Sequence, residues 1–343
     1  MTMVMTRVPR RFALDRGLSA RMVLTVFLLG LVYVAFIAVL IAVGVSPVLV
    51  VAIAGGLLAA QYWFSDRIAL YATGGRIVSP AQEPRLHGVV DRLCALSDLP
   101  KPVVAVADTD LPNAFATGRT PKRAVVCVTT GLLRRLEVDE LEGVLSHELS
   151  HVAHRDVAVM TVASFLGVLA GLVTRFGLYS GMAGGFGRSD GGDGGDGGDG
   201  GDDDEDSGAL VVLVVVVVSA AVYALSFLLT RALSRYRELA ADRSGAILTG
   251  QPAALAAALT KVTGEISRIP TRDLRAAEPF NAFFFAPALA NGVSLSSLFS
   301  THPPLDARLA QLARLAAQFG EPAQFGEPAQ FGDPGSSVTR VVR

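Results

Sequence analysis

Cysteine, lysine and tryptophan are scarce in this chain. Cys94 and Cys127 are its two cysteines, Lys101, Lys122 and Lys261 its only lysines, and Trp63 its one tryptophan. The cysteines stand apart with no C-x-x-C spacing. This excludes a thiolate metal knuckle and a disulfide framework, and leaves two buried, inert thiols of a reducing compartment as the expectation. Arginine carries nearly all the positive charge, and the net charge is −1. No basic field exists to recruit nucleic acid. No G-x-x-x-x-G-K-[ST] occurs, so no nucleotide is expected either. Histidine is sparse too, at five residues, yet three of them fall at 147, 151 and 154.

Apolar residue is what the chain has in quantity: 51% of the sequence, with a mean hydropathy of +0.46. Residues 1–21 form a basic N-terminus with five arginines against Asp15. An apolar run over 22–45 follows, too long for a signal-peptide core and without a small-residue cleavage site. Ser46-Pro47 turns the chain into a second run over 48–64, where Tyr62 and Trp63 suit a membrane–water interface. Residues 22–64 therefore read as a transmembrane hairpin. Residues 157–180 and 209–230 read as a third and fourth span. Residues 181–208 between them are a Gly/Asp-rich acidic linker with no material for a core, expected to be disordered. The tail over 318–343 repeats Gln-Phe-Gly-Glu-Pro-Ala and reads as flexible. Basic residues flank the same side of each span. This places both termini and the intervening soluble segments in the cytoplasm of a multi-pass cell-membrane protein.

The soluble segments are 65–156 and 231–317. In the first, residues 84–96 have the period of an amphipathic helix. Residues 102–108, 113–118 and 124–129 read as strands, the last two as a hairpin. A short helix over 131–136 precedes a longer one, with Asp139 as its expected N-cap and Glu142 in capping-box position. That longer helix carries Ser146-His147-Glu148-Leu149-Ser150-His151. Residues four apart on a helix lie about 40° apart around the axis, so both imidazoles can meet one zinc ion. Glu148 lies about 100° round, beside that face, where a carboxylate can hold a water without occupying the metal. Catalytic zinc takes a third protein ligand. The candidates are His154, Asp156, Glu238, Asp242 and His302. His154 is about 10 Å along the axis from His147 and too far to share the ion comfortably. Glu238 lies on a second helix, just after the fourth span. An even number of crossings separates it from His147, so it faces the same compartment. Asp242, on the same face as Glu238, is placed to orient a ligand imidazole.

Several of these motifs occur together: Asn113-Ala-Phe-Ala-Thr-Gly118, Thr129-Thr-Gly-Leu-Leu133, the run from Asp139 to His151, Glu238-x-x-x-Asp242 and Thr301-His-Pro-Pro-Leu-Asp306. In combination they resemble the HtpX-type membrane zinc metalloproteases, relatives of the CAAX-prenyl endopeptidases, over about residues 22–315. The resemblance implies a mainly α integral membrane protein with four transmembrane helices. Its metalloprotease domain would be gluzincin-like, α+β, with a small β-sheet. It implies one Zn2+ per subunit on His147, His151 and Glu238, Glu148 as the base, and Asp242 hydrogen-bonded to a ligand histidine. Asn113, Ala114, Phe115 and Ala116 would form an edge strand that pairs with an extended substrate. His302 would stabilise the oxyanion, or else fix the Pro-Pro turn. Two departures stand out: His154, where asparagine is common in the family, and the long linker.

The expectation is thus a nucleotide-independent zinc endopeptidase in the lipid bilayer, acting on unfolded or misassembled membrane proteins. A dedicated processing protease for one partner is an alternative within the same chemistry. A non-catalytic, zinc-stabilised membrane scaffold is the alternative outside it. A purely structural zinc would need four protein ligands and would have no use for Glu148.

Overall fold

The computed structural model describes Phe12, residues 16–156 apart from 43 and 45, scattered positions between 159 and 171, and residues 202–268 and 303–320. The chain begins with two long helices, α1 (Arg16–Ala42) and α2 (Pro47–Ala72). The soluble part follows as β1 (Gly75–Ile77), α3 (Pro84–Ser97), β2 (Val103–Ala107), β3 (Ala114–Thr117), β4 (Val125–Thr129), α4 (Thr130–Arg135) and α5 (Val138–His154). The later elements are α6 (Asp202–Thr249), α7 (Pro252–Arg268) and α8 (Leu305–Phe319).

The fold is mainly helical with a small mixed sheet, as expected. The strand order is β1-β2-β4-β3. β2 and β4 run parallel, and β1 and β3 lie antiparallel on the two edges. The expected β3–β4 hairpin is present, and β3 is an edge strand among the described residues. Its turn needs Gly118, whose φ is +129° and where a Cβ would stand 2.6 Å from the Arg123 carbonyl oxygen. The Arg119 guanidinium in that turn lies 4.3 Å from the centroid of the Trp63 ring of α2.

α5 is the central helix. Every residue from Glu140 to Val152 is buried. Leu141, Val144, Leu145 and Leu149 pack with α3, α7 and the sheet into the main core. Burial of each such side chain stabilises the fold by about 1.5–3 kcal/mol. The helix starts earlier than expected. Glu137, not Asp139, is its N-cap, and the Glu137 N–H donates to Glu140 Oε2 at 2.8 Å. Glu142 is not free for that role, because it is buried and paired with Arg92 at 3.2 Å. At the other end Arg155 closes the helix in the left-handed region, with φ 56°.

Two helices among the described residues are long and apolar enough to cross a membrane: α1, and Leu213–Thr249 of α6. They pack antiparallel. Leu29, Phe36 and Leu40 of α1 cluster with Val222 of α6, and Leu18 meets Leu233 and Ala240 further on. Most of the expected third span, most of the 181–208 linker, His302 and the tail beyond Gly320 lie outside the described residues. One part of the linker differs from expectation: residues 202–208, expected to be disordered, belong to α6. Asp202, Asp203, Asp204, Glu205 and Asp206 fall in its first turns, positions where acidic residues suit the helix dipole. The fourth apolar run and the helix carrying Glu238 are one uninterrupted helix.

α5 and α6 cross at very short range. A Cβ on Gly245 would stand 2.8 Å from Ser146 Oγ and 2.9 Å from the His147 backbone nitrogen. Gly245→Ala must therefore push the two helices apart. The expected loss is about 1–3 kcal/mol, read as a lower thermal midpoint in detergent together with weaker zinc retention. An unchanged midpoint and zinc content would show that the crossing tolerates a wider spacing.

Candidate metal centre

His147 and His151 leave α5 on one face, their ring centroids 4.9 Å apart and their planes perpendicular. Glu238 enters from α6. Its Oε2 is 3.4 Å from His147 Nε2 and its Oε1 is 3.6 Å from His151 Nε2. One ligand atom from each of the three residues lies within 4.8 Å of the others, and all three residues are buried. Bonds of about 2.0–2.1 Å to a tetrahedral ion separate neighbouring ligand atoms by roughly 3.3–3.4 Å. The two carboxylate–imidazole distances are close to such edges.

The other nitrogen of each ring is already committed. His147 Nδ1 donates to Asp242 Oδ1 at 2.8 Å, and His151 Nδ1 donates to Asp156 Oδ2 at 2.8 Å. Both rings are held in the orientation that turns Nε2 toward Glu238. Each aspartate in turn meets an arginine, Arg308 buried and Arg237 partly so. Arg308 of α8 donates to Asp242 through Nε and one terminal nitrogen, both at 2.7 Å. Arg237 donates to Glu238 Oε1 at 3.1 Å and lies 3.8 Å from Asp156.

Charge tells the same story as distance. Glu148, Glu238, Asp242 and Asp156 are all buried, against the two guanidiniums of Arg237 and Arg308. The pocket is short of positive charge by about what a divalent cation supplies. The His147 imidazole registers the deficit. Burial pushes it down, but the hydrogen bond and charge of Asp242, then Glu238, outweigh burial and raise it to about 9. Without an ion, His147 Nε2 keeps a proton in the ion's place.

Glu148 does not join the ligand cluster. It is buried, and burial raises its carboxyl above the ordinary range against the pull of His147 and His151. Its Oε2 accepts the Ala116 N–H of β3 at 3.0 Å. The register explains why that N–H is available. The Asn113 carbonyl accepts the Thr129 N–H, and Ala114, Phe115, Ala116 and Thr117 face Val128, Cys127, Val126 and Val125. Antiparallel bonding alternates, so the backbone groups of Ala114 and Ala116 point to the free edge. Side chains contribute little there. Asn113, Ala114 and Phe115 are buried, with Phe115 packed on Ala105, Ala107 and Cys127.

The structure thus brings together His147, Glu148, His151, Glu238, Asp242 and the edge at Ala114 and Ala116. His302 lies outside the described residues. His154 is turned away, its Nδ1 donating to the Ser150 carbonyl at 2.9 Å and its ring edge-on to Phe12. Asp156, a candidate ligand by position, instead holds His151. Sequence reasoning missed Arg237 and Arg308. Arg308 had left a signal: it sits on the apolar stripe of α8 with Leu305, Leu312 and Leu315, a charge on a face that should be buried. The cysteines are free, as expected. Burial pushes the Cys94 thiol up to about 11 and the Cys127 thiol up to about 12.

Comparison with known proteins agrees with this geometry. The model of peptidase family M48 matches residues 80–316. Protease HtpX homolog 1 of Streptomyces coelicolor is 62% identical over 311 residues, covering 91% of this chain and 97% of the relative. The protease HtpX homolog of Moorella thermoacetica is 51% identical over 312 residues, covering 91% and 99%. Protease HtpX homolog 2 of Methanosarcina acetivorans is 48% identical over 306 residues, covering 89% and 98%. Among solved structures, the crystal structure of S. mikatae Ste24p aligns with a TM-score of 0.46 at 16% identity, over 87% of this chain and 67% of that one, a likeness too low to bear on function. A buried two-histidine, one-carboxylate cluster with a glutamate beside it, in a chain matched over its soluble core and nearly full length, places this protein in peptidase family M48.

Proposed function

We propose that this M48 membrane metalloprotease is a zinc endopeptidase of protein quality control, acting without nucleotide on unfolded or misassembled membrane proteins. The observation that carries the reading is the convergence of His147, His151 and Glu238 beside both Glu148 and an unpaired strand edge. In this reading His147, His151 and Glu238 hold the metal, while Asp242 and Asp156 fix the two rings. The bound zinc would polarise the scissile carbonyl and acidify a neighbouring water. Glu148 takes the proton from that water and returns it to the leaving amine, a role suited to a carboxyl whose burial favours the protonated form. The Ala114 and Ala116 backbone pairs with the peptide as an added strand. Main-chain pairing reads shape rather than side chains, which favours extended, unfolded segments over one sequence. Asn113 and Phe115 keep that edge in register, and His302 is the proposed oxyanion partner. The arginine distribution supports four spans, with the metal centre and both termini in the cytoplasm.

Glu148→Gln should retain zinc at the wild-type level and lose casein cleavage by roughly a hundred- to ten-thousand-fold. Zinc content and peptide release, measured together in detergent, check this. Retained cleavage would remove Glu148 as the base, whereas loss of zinc would make it a ligand. Wild-type cleavage should also proceed unchanged after apyrase treatment; a requirement for ATP would contradict the nucleotide-free reading.

The proton on metal-free His147 sets a pH dependence. Its folded-state value is raised from 6.5 to about 9, so its contribution to metal-free stability is present at low pH and lost as pH rises through about 9. Metal must displace that proton. Zinc affinity should therefore rise about tenfold per pH unit up to roughly pH 9 and then level. Competition with a chromogenic chelator measures the slope, and a flat profile below pH 9 would refute the displacement.

A further inference from the structure

A cavity of about 340 Å³ lies between α6 and α8, apart from the His147, His151 and Glu238 cluster. Tyr236, Leu239, Ala240 and Arg243 line it from α6, and Gln311, Arg314, Leu315 and Gln318 from α8. Both sets follow helical spacing, one stripe facing another. At about 100° per residue, the α6 stripe lies roughly 130° round from Glu238 and Asp242. The helices run antiparallel here, because Arg308 bonds Asp242 and Gln311 Nε2 donates to the Leu239 carbonyl at 2.7 Å. Arg314 and Gln318 therefore lie toward the Tyr236 end of the groove.

The lining holds two arginines and no carboxylate. Arg92, Arg134, Arg135, Arg237 and Arg308 all have acidic partners. Arg243 and Arg314 have no ion pair or hydrogen bond among the described residues, and both are exposed. The floor of the groove, Leu239, Ala240 and Leu315, is apolar. At the near end the Arg21 guanidinium lies 4.2 Å above the Tyr236 ring. Arg21 is the last residue before the apolar run of α1, so this end of the cavity lies where α1 enters the bilayer. Phe319, exposed at the end of α8, lies beyond Gln318 at the same end.

We propose that this cavity binds a phosphate ester through Arg243 and Arg314, and that its source is the headgroup of an anionic phospholipid. Guanidinium forks match phosphate oxygens, and the apolar floor suits the glycerol and first acyl carbons. A bound headgroup would bridge α6 and α8, and so bear on how Arg308 meets Asp242. The site is independent of the proteolytic reading, and binding rather than cleavage tests it.

The full-length protein is reconstituted into nanodiscs of phosphatidylcholine mixed with phosphatidylglycerol, and into micelles titrated with soluble glycerol 1-phosphate. Lipids retained on release from the disc are counted by native mass spectrometry. The wild type should retain phosphatidylglycerol over phosphatidylcholine, and Arg243→Gln and Arg314→Gln should each lower that preference by roughly fivefold. Arg92→Gln, remote from the cavity, is the charge control. Saturable glycerol 1-phosphate binding lost in the double variant, without lipid enrichment, would assign the same phosphate site to a soluble ester. Absence of both in the wild type, or equal retention by the folded double variant, would overturn the proposal.

Discussion

The absence of a side chain at Gly245 is the constraint on which the rest of the centre depends. Two helices with ordinary residues at their contact stand 8–10 Å apart or so, axis to axis. Here the α6 backbone comes down onto the backbone of Ser146 and His147. The consequence is felt one and two turns earlier in α6, where Asp242 and Glu238 have to reach His147 and His151. Glutamate and aspartate are short, and neither bridges a wide gap. A close crossing lets a carboxylate from one helix stand within 3.4 and 3.6 Å of two imidazoles on the other. The same crossing puts Asp242 2.8 Å from the far side of the His147 ring. Ligand and orienting group are four residues apart, so one helix placement sets both.

Such a cluster is expensive without an ion. Four buried carboxylates would repel one another if left alone, and two arginines neutralise only part of that charge. The arrangement divides into two chains, Arg308–Asp242–His147 and Arg237–Asp156–His151, the second also touching Glu238. In the first chain the charge and hydrogen bonds of Arg308 outweigh burial and hold the Asp242 carboxyl below its ordinary range; in both chains the aspartate accepts the near ring N–H. Both Nε2 atoms turn toward Glu238. A residual demand for positive charge lies where the three ligand atoms converge. Metal binding is therefore tied to folding: the ion relieves a repulsion that helix packing has created.

Much of this was legible in the sequence, and what was not has physical reasons. The i, i+4 spacing that joins His147 to His151 also joins Glu238 to Asp242, so both ligand helices could be read locally. The β-branched runs located β2 and β4, and their separation by a short turn-bounded strand located β3. Helix start was harder. Glu137 with Glu140 and Asp139 with Glu142 have the same spacing, and only the burial of Glu142 against Arg92 decides between them. The acidic run at 202–206 has the composition of a linker, but it abuts a helix whose positive end favours it. Asp156 has a metal ligand's chemistry and sits near the motif. Its true role depends on the left-handed turn at Arg155, which carries it back to His151 and which no periodicity reveals. Arg237 and Arg308 gain their meaning from partners distant in sequence or across helices.

Glu148 links this centre to the edge strand β3. β3 bonds to β4 through Asn113, Phe115 and Thr117, and this leaves Ala114 and Ala116 with outward backbone groups. Glu148 takes one of them, the Ala116 N–H. An extended peptide added to that edge must therefore run past the carboxylate, with Ala114 and the Ala116 carbonyl as its remaining partners. Strand pairing fixes its direction across the site, and the α5 face that presents Glu148 also presents both imidazoles. Just past the strand, Arg119, one residue beyond Gly118, lies over Trp63 of α2. Glu148 and Trp63 thus both anchor the C-terminal end of β3 and the turn that follows it.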